Sequence, residues 1–265
     1  MFPSWPCQTR QMLDPLQQFR LDGKVAIVTG ASSGLGARFA RVLHAVGATV
    51  IVTARRVDRL DALVGQLPGS MAVAADVGIA ADRERLVAET LERAGRIDVL
   101  VNNAGIAHVV GIERETLDQF EQVLNVNTTA VWHLAKLCIP HMVTRGSGSI
   151  VNVASMLGHV GSAPIKQANY CASKGAVVNL TRELALQLGR KGVRVNALCP
   201  GYFPSEMTEP MLGDEGSERY IERYGGMPRM GDEHELDGAL LLLASDAGSY
   251  ITGHSLLVDG GFTAR

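Results

Sequence analysis

The chain lacks the features that mark several large classes of protein. Its four cysteines, Cys7, Cys138, Cys171 and Cys199, form no CxxC pair and no cluster with the seven histidines. We therefore expect neither a metal site nor a disulfide framework. No run of about 18 apolar residues occurs, so no membrane-spanning helix is predicted. The net charge of −2 gives no electrostatic footprint for nucleic acid or an anionic membrane.

The composition that remains is that of a globular protein. Hydrophobic residues make up 46% of the 265 residues and charged residues 20%, which is typical of a folded chain with a sizeable core. Residues 1–20 lack a basic segment followed by an apolar run, so we interpret them as a polar N-terminal extension and not as a secretory signal. Scattered free thiols fit a reducing cytoplasm.

Short β-branched apolar runs alternate with longer amphipathic stretches. The runs are almost continuously apolar, as in a parallel sheet that is covered on both faces. Strands are predicted at 25–29, 48–53, 71–75, 97–102, 148–154, 193–198 and 254–259. Helices are predicted at about 34–46, 57–66, 80–94, 115–145, 169–190 and 234–245. This alternation predicts an α/β fold with a doubly wound parallel sheet of about seven strands.

One segment breaks the alternation. Residues 202–232 carry four methionines, three tyrosines, three prolines and many charges between the sixth strand and the last helix. A long irregular insertion at such a place is typical of a functional lid. Because no linker or repeat occurs elsewhere, we predict one domain over residues 21–265.

The first strand runs directly into a glycine-rich turn, TGASSGLG. Glycines allow a tight turn and a close approach to a pyrophosphate, which then lies at a helix N-terminus. The spacing is GxxxGxG and not the GxGxxG fingerprint, and a strand–helix turn without a ligand is the alternative. The residues expected to bind a dinucleotide here are Gly30, Ser32, Ser33, Gly34, Leu35 and Gly36.

Further motifs follow in a characteristic order: NNAG at 102–105, Ser155, YxxxK at 170–174 and PG at 200–201. With the glycine turn, they resemble the classical short-chain dehydrogenase/reductase family over about Leu21 to Phe262. The wording of PGYFPSEMT and VDGGFT is similar to that of 3-oxoacyl-carrier-protein reductases and gluconate 5-dehydrogenases. The resemblance implies a single-domain Rossmann fold and a nicotinamide-dependent oxidoreductase.

The end of the second strand bears on the choice of dinucleotide. An NAD-binding turn usually has an Asp or Glu there, but this sequence has Ala54 followed by Arg55 and Arg56. A guanidinium suits a 2′-phosphate, so the resemblance favours NADP(H), bound by Arg55 with help from Arg56. NAD(H) is the alternative, as are two solvated loop arginines. Ser33 stands where the family often has a basic residue.

Other cofactor contacts follow from the resemblance alone. An Asp after the third strand borders the adenine in similar proteins, although it can also cap a helix. The NNAG backbone lies beside the ribose while its Asn side chains brace the sheet. The PG motif and a nearby hydroxyl contact the nicotinamide, and here that hydroxyl belongs to Ser where Thr is usual. These positions are Asp76, Val77, Asn103, Ala104, Gly105, Pro200, Gly201 and Ser205. The resemblance also places Tyr170 and Lys174 among the cofactor-binding residues, with Lys174 holding the nicotinamide ribose.

Tyr170 and Lys174 lie one turn apart on a predicted helix, so they share a face. An unperturbed tyrosine has a pKa of about 10 and is a poor acid–base catalyst at pH 7. A cation at roughly 5 Å, with an effective dielectric of about 20, contributes about 3 kcal/mol or about 2 pKa units. We therefore predict that Lys174 lowers the pKa of Tyr170 toward neutrality. A chance pair on an exposed helix is the alternative.

Two more side chains complete the catalytic set that the resemblance implies. Ser155 matches the Ser that holds the developing oxyanion, although its distance from Tyr170 along the chain is slightly longer than usual. Asn127 matches the Asn that is thought to hold a water linking the lysine to solvent, and Asn125 is its nearby competitor. Without these roles, Ser155 would be a turn cap and Asn127 a solvent-facing helix residue.

The set predicts reversible hydride transfer between NADP(H) and a carbonyl/alcohol pair, with Tyr170 as acid and base. A 3-oxoacyl thioester is the first substrate expected. The alternatives are a polyol or sugar acid, and a steroid or xenobiotic carbonyl. The substrate pocket is expected near the lid and near His108, Met156, Leu157, His159 and Gln167.

Two other functional classes fit less well. A catalytically dead nucleotide-sensing regulator would lack the Tyr or the Lys. Sugar-nucleotide epimerases and dehydratases are usually longer. The resemblance further implies a homotetramer, or a dimer, packed through the 115–145 and 169–190 helices.

Overall fold

The computed structural model describes residues 14–264. Most of the predicted N-terminal extension, with Cys7, lies outside the described residues. The described part of that extension contains a short 3-10 helix, Gln17–Phe19. No helix within residues 14–264 is both long and apolar enough to cross a membrane.

One parallel sheet organises the described chain. Its strands are Val25–Thr29 (β1), Thr49–Thr53 (β2), Met71–Ala72 (β3), Val99–Asn102 (β4), Gly148–Val153 (β5), Val193–Pro200 (β6) and Ser255–Val258 (β7). They lie in the order β3-β2-β1-β4-β5-β6-β7, and every neighbouring pair is parallel. This is the doubly wound α/β sheet that the sequence predicts.

Eight α-helices connect or follow these strands between residues 14 and 264. They are Gly34–Ala45 (α1), Val57–Val64 (α2), Ala80–Ala94 (α3), Leu117–Leu124 (α4), Ala130–Arg145 (α5), Ala168–Leu188 (α6), Glu215–Tyr224 (α7) and Asp237–Ala244 (α8). Short 3-10 helices follow β5 at Met156–Gly158 and precede α8 at Glu233–Leu236.

The alternation of β1 side chains places one core on each face of the sheet. Ala26 and Val28 face a core that also contains residues of α1, α2 and α8. Val25 and Ile27 face a second core, with residues of α3, α5 and α6. All four side chains are at most 5% exposed. Successive strand residues point to opposite faces, so a strand buried on both faces must be apolar at every position.

The strand order reverses direction between β1 and β4. The chain moves outward from β1 to β2 and β3, then returns to place β4 on the other side of β1. In open α/β sheets a crevice forms at this switch point, outside the carboxyl ends of the strands. The fold therefore brings the ends of β1 and β4 to the mouth of a cleft.

Three predicted elements differ from the structure. The single helix predicted at 115–145 is interrupted at Asn125–Thr129 by a π-helical segment between α4 and α5. The insertion at 202–232 is not irregular throughout, because it contains α7, whose N-terminus is capped by Asp214. The strand predicted at 71–75 ends early, although Val73 and Ala75 still bond to β2 and its following residue.

Candidate active site

A cleft of about 530 Å³ opens at the carboxyl ends of the strands. It brings together all of the residues that the sequence predicts to bind the cofactor, together with Ser155, Tyr170 and Lys174. Asn127 lies behind the cleft wall and does not line it. The residues predicted from widely separated motifs thus meet at one site because parallel strands end at the same edge of the sheet.

The glycine turn has little freedom to accept side chains. Gly30 and Gly34 have φ of +68° and +49°, a region that favours glycine. At Gly36, a Cβ would lie 2.2 Å from the carbonyl oxygen of Gly30. The hydroxyl of Thr29 accepts hydrogen bonds from Asn103 N and Ala104 N, each at 3.0 Å. These contacts hold the turn against the chain that follows β4.

Substituting Gly36 with Ala should distort this turn, because the added Cβ meets backbone atoms that cannot rotate away. We expect the free energy of unfolding to fall by about 1–3 kcal/mol and the affinity for a dinucleotide to fall at least tenfold. Urea unfolding and equilibrium titration with NADPH measure the two effects. Gly161→Ala is the control, since a Cβ at Gly161 meets nothing within 4 Å; equal losses in both variants would contradict the explanation.

The two arginines after β2 differ in their environments. Arg55 is exposed, lines the cleft, and forms no hydrogen bond or ion pair with another residue of 14–264. The Arg56 guanidinium donates to Ser32 Oγ at 2.8 and 3.1 Å and to Ser33 Oγ at 2.9 Å. It also pairs with Glu206 of the lid. Ser33 therefore carries no positive charge itself, but its hydroxyl holds the Arg56 guanidinium against the glycine turn.

The residues after β3 and β4 close the far wall of the cleft. Asp76 Oδ1 accepts from Gly78 N at 2.8 Å, and Asn125 Nδ2 donates to the Gly78 carbonyl at 2.8 Å. The side chain of Asn102 donates to Asn152 Oδ1 and that of Asn103 to the Thr29 carbonyl, both at 2.9 Å. The two Asn side chains brace the sheet and leave the backbone of Ala104 and Gly105 facing the cleft.

The segment after β6 forms the opposite wall. Gly201 N donates to the Val258 carbonyl at 2.9 Å, and a Cβ at Gly201 would lie 2.7 Å from Asp259 Cα. Ser205 lies over the glycine turn, 3.5 Å from the position of a Cβ at Gly34. Its hydroxyl is 3.0 Å from that of Thr208. Both hydroxyls line the cleft, so the proposed nicotinamide contact of Ser205 has a competitor in Thr208.

Tyr170, Ser155 and Lys174 meet in the wall between these segments. Ser155 follows β5, is 6% exposed, and accepts from Leu157 N at 3.1 Å. It thus caps the short 3-10 helix, and its hydroxyl lies next to the phenol of Tyr170, whose pKa it lowers. Lys174 Nζ lies 5.5 Å from the centre of the Tyr170 ring and donates to the Val153 carbonyl at 2.7 Å. The helical spacing therefore aligns the pair as predicted.

The structure contradicts the prediction that Lys174 lowers the pKa of Tyr170 toward neutrality. Burial raises the pKa of Tyr170 to about 12, and the adjacent Ser155 hydroxyl opposes this only in part. Burial also lowers the pKa of Lys174 to about 8. The predicted shift counted the attraction between a cation and a phenolate but omitted the removal of both groups from water, which disfavours each charged form.

Asn127 is fully buried in the π-helical segment and does not face solvent. Its Oδ1 accepts from Ile106 N at 2.9 Å, while Nδ2 donates to the Ile106 carbonyl and to Ser173 Oγ, both at 2.9 Å. A Cβ at Gly105 would lie 3.4 Å from Asn127 Oδ1 and 3.5 Å from Lys174 Nζ. Asn127 therefore joins the chain after β4 to α6 beside the lysine, whereas Asn125 bonds elsewhere.

None of the predicted substrate-pocket residues outside the lid lines the cleft itself. Met156 and Leu157 are buried in a cluster with Phe262, against which Tyr170 and aromatic lid residues pack. His159 Nε2 lies 3.6 Å from Cys199 Sγ, His108 Nε2 lies 3.0 Å from Gln122 Oε1, and Gln167 Nε2 donates to Ser162 Oγ at 2.6 Å. Only Met156 and Leu157 contact the cluster around Tyr170.

Sequence reasoning missed three side chains that organise the site. Thr29 holds the NNAG backbone, Ser173 connects Asn127 to the Tyr170 carbonyl, and Glu206 binds Arg56 and Arg59. A hydroxyl at the end of β1 and another within YxxxK could have indicated the first two. The position of Glu206 has no local signal, because its partners lie about 150 residues earlier in the chain.

Over most of its length the chain is similar to known enzymes. A family model described as enoyl-(acyl carrier protein) reductase matches residues 30–263. A 3-oxoacyl-[acyl-carrier-protein] reductase of Thermotoga maritima is 38% identical over 248 residues, covering 91% of this chain and 98% of that protein. A short-chain type dehydrogenase/reductase structure from Mycobacterium marinum has a TM-score of 0.90 at 35% identity, covering 95% and 100% of the two chains.

A gluconate 5-dehydrogenase from Burkholderia cenocepacia, solved in complex with NADP and tartrate, has a TM-score of 0.89 at 32% identity, with coverages of 95% and 100%. The fold, the cleft and these matches together show that the chain belongs to the short-chain dehydrogenase/reductase family. It is an oxidoreductase of the kind that acts on secondary alcohols and ketones.

The cleft fits a dinucleotide in shape and in donor chemistry. The glycine turn at the start of α1 leaves a space that a Cβ at Gly36 would fill. The side chain of Ser33, the N-cap residue of α1, forms no capping hydrogen bond with the first turn of the helix. Arginines stand at one end, and a phenol and a serine hydroxyl stand at the other. Within residues 14–264, no group of three His, Cys, Asp or Glu side chains is placed to hold a metal ion.

Proposed function

We propose that the chain is an NADP(H)-dependent reductase that interconverts a ketone and a secondary alcohol, with Tyr170 as its acid and base. The observation that carries this proposal is the meeting of Tyr170, Ser155 and Lys174 in a cleft whose other end is a glycine turn flanked by arginines. The arginines Arg55 and Arg56 support NADP(H), because a guanidinium matches a phosphate. The dinucleotide, when bound, supplies or accepts the hydride.

Tyr170 is suited to give a proton to a ketone oxygen. Because burial holds its pKa at about 12, the phenol stays protonated throughout the neutral range and stores the proton that reduction consumes. The Ser155 hydroxyl, next to the phenol, can hold the same oxygen as negative charge develops. Ser155 and Tyr170 thus fix the position of the reacting carbonyl from two sides.

Lys174 and Asn127 support this pair from behind. The ammonium of Lys174 lies near the Tyr170 ring and stabilises the phenolate that remains after proton transfer. Asn127 fixes the chain at Ile106 and, through Ser173, the turn of α6 that carries Tyr170. We assign Asn127 a positioning role and propose that its position beside Lys174 allows the proton path to solvent that the resemblance implies.

The walls around Tyr170 favour a substrate with an apolar part, such as a 3-oxoacyl thioester. Tyr202 packs edge-on against Phe262 at 5.6 Å, and Tyr220 lies 5.8 Å from Phe262. The cationic side chains that line the cleft are Arg55, Arg56 and Lys174. Two of these flank the glycine turn and the third is behind Tyr170, while Arg229, which lines a neighbouring pocket with Tyr202 and Phe262, is already paired with Glu235.

A panel of carbonyl compounds, assayed with NADPH and NADH, tests the whole proposal. We expect acetoacetyl-coenzyme A to be reduced with NADPH at least tenfold more efficiently than with NADH, as expected for one charge-assisted phosphate contact. A 5-keto sugar acid should be reduced more slowly than the thioester. Arg55→Ala should reduce the NADPH preference, whereas Arg190→Ala, an exposed arginine at the amino ends of the strands, should not.

Each arm of the panel has its own contradicting outcome. Equal or better rates with NADH would remove the cofactor assignment. Faster reduction of the sugar acid would favour the gluconate 5-dehydrogenase type of activity.

The family resemblance also leads us to propose a homotetramer, or a dimer, in the cytoplasm. Sedimentation velocity of the purified protein tests the oligomeric state.

A further inference from the structure

A carboxylate of the lid bridges two arginines at the cofactor cleft. Arg56 Nη1 donates to Glu206 Oε1 at 2.8 Å and Arg56 Nη2 donates to Oε2 at 3.0 Å. Arg59 Nη1, in the first turn of α2, donates to Glu206 Oε1 at 2.6 Å. Two guanidiniums therefore meet on one carboxylate, in a fork geometry that arginine also uses for phosphate. We call Arg56, Arg59 and Glu206 the anion clasp.

The anion clasp lies directly against the glycine turn. Arg56 also donates to the hydroxyls of Ser32 and Ser33, so one guanidinium touches the turn, the start of α2 and the lid. All three of its nitrogens already donate to Glu206 or to these serines. A second anion can bind this guanidinium fully only by taking the place of the carboxylate, because two anions on the same donors repel each other.

We propose that Glu206 is an internal competitor for the guanidiniums that bind the cofactor 2′-phosphate, and that it thereby sets the preference between the two dinucleotides. This inference rests on the proposed use of NADP(H). A phosphomonoester carries about −1.5 to −2 charges near pH 7, whereas a carboxylate carries one, so the exchange favours phosphate. The carboxylate lowers the net gain from the phosphate and leaves the affinity for a ligand without it unchanged.

The ionisation state of Glu206 agrees with this role. Hydrogen bonds from Arg56, followed by those from Arg59 and Ser33, lower the pKa of its carboxyl to about 2. The carboxylate is therefore charged at every pH at which the enzyme would be assayed. All three clasp side chains are about 40–50% exposed and therefore accessible to a ligand from solvent.

The clasp has an ordinary structural explanation, namely an ion-pair network that only fastens the lid. The two explanations differ in the ligand whose binding changes. A fastener acts on every ligand that enters beneath the lid, since removing it loosens the lid for all of them. A competitor acts only on a ligand that carries a 2′-phosphate.

Equilibrium titration of the whole protein with 2′,5′-ADP and with 5′-AMP separates the two, because these probes differ by the 2′-phosphate alone. For Glu206→Gln we expect 2′,5′-ADP to bind about 3- to 10-fold more tightly than to the wild type, in the range of two exposed ion pairs. The affinity for 5′-AMP should change by less than about twofold. Glu209→Gln is the matched control; that side chain is exposed and pairs with no other residue of 14–264.

Four outcomes overturn the inference. The first is unchanged or weaker 2′,5′-ADP binding to Glu206→Gln while the wild type still prefers 2′,5′-ADP, which leaves the proposed function intact. The second is an equal gain for both probes, which assigns Glu206 to fastening the lid. The third is an equal gain in Glu209→Gln, which assigns the effect to overall lid charge. The fourth is a wild type that does not prefer 2′,5′-ADP, which removes the proposed NADP(H) dependence as well.

Discussion

Tyr170→Phe should lower kcat for ketone reduction by about 10²- to 10⁴-fold, the range that a positioned general acid contributes. The variant loses only the phenolic oxygen. Its ring can still pack against the cluster of Met156, Leu157 and Phe262 and over the Lys174 ammonium. The Kd for NADPH should therefore change by no more than about twofold, which separates the loss of chemistry from a loss of binding.

Two measurements test this expectation. Steady-state rates with saturating NADPH give kcat, and a fluorescence titration gives the Kd for NADPH. Tyr250→Phe is the control because Tyr250 is fully exposed on the surface, and it should keep the wild-type rate. Near-wild-type turnover by Tyr170→Phe would falsify the assignment of the acid, while a large rise in the Kd would show that the phenol serves binding.

The parts of the fold that sequence predicts well are those whose causes are local. The continuous apolar run of β1 reflects burial on both sides of the strand, since Ala26 and Ile27 face different cores. Glycine is needed at position 36 because a Cβ there would collide with the carbonyl of Gly30, only six residues earlier. The alignment of Tyr170 with Lys174 follows from the period of one helix. Each of these needs only the neighbouring sequence.

The features that sequence reasoning missed depend on distant residues or on weak patterns. The helix α7 is only ten residues long and mostly polar or charged, with Ile221 as its single buried residue, so its short apolar stripe is easily overlooked in a charged insertion. The pKa of Tyr170 depends on how much water the aromatic cluster removes. Glu206 reaches the arginines only because the chain after β6 returns over the glycine turn.

Lys174 is a buried cation whose desolvation destabilises the folded state. The side chain is 3% exposed, and burial lowers its pKa from 10.5 to about 8. At pH 7 it is charged in both the folded and the unfolded state, and burying the charge costs on the order of 3 kcal/mol. Such a cost at a catalytic position is the usual compromise between stability and function.

The sign of the pH dependence follows from that shift. Between about pH 8 and pH 10.5 the folded chain has released the Lys174 proton while the unfolded chain still holds it. Stability attributable to Lys174 therefore rises with pH across this window and is lost again as the pH falls through 8. The Cys138 thiol lowers stability as the pH rises above about 9, because burial raises its pKa to about 12. Since this thiol is present in the wild type and in any Lys174 variant, it does not affect the difference between their stabilities.

Lys174→Met should therefore lose at least about 10² in kcat while its relative stability depends on pH. The free energy of unfolding, variant minus wild type, should be about 2–3 kcal/mol higher at pH 7 than at pH 10. The lost hydrogen bond to the Val153 carbonyl is a constant cost that cancels between the two pH values. Urea unfolding at both values measures the difference, with the exposed Lys191→Met as control. A difference that does not vary with pH would mean that Lys174 is not desolvated, and the account of how it assists Tyr170 would then have to be abandoned.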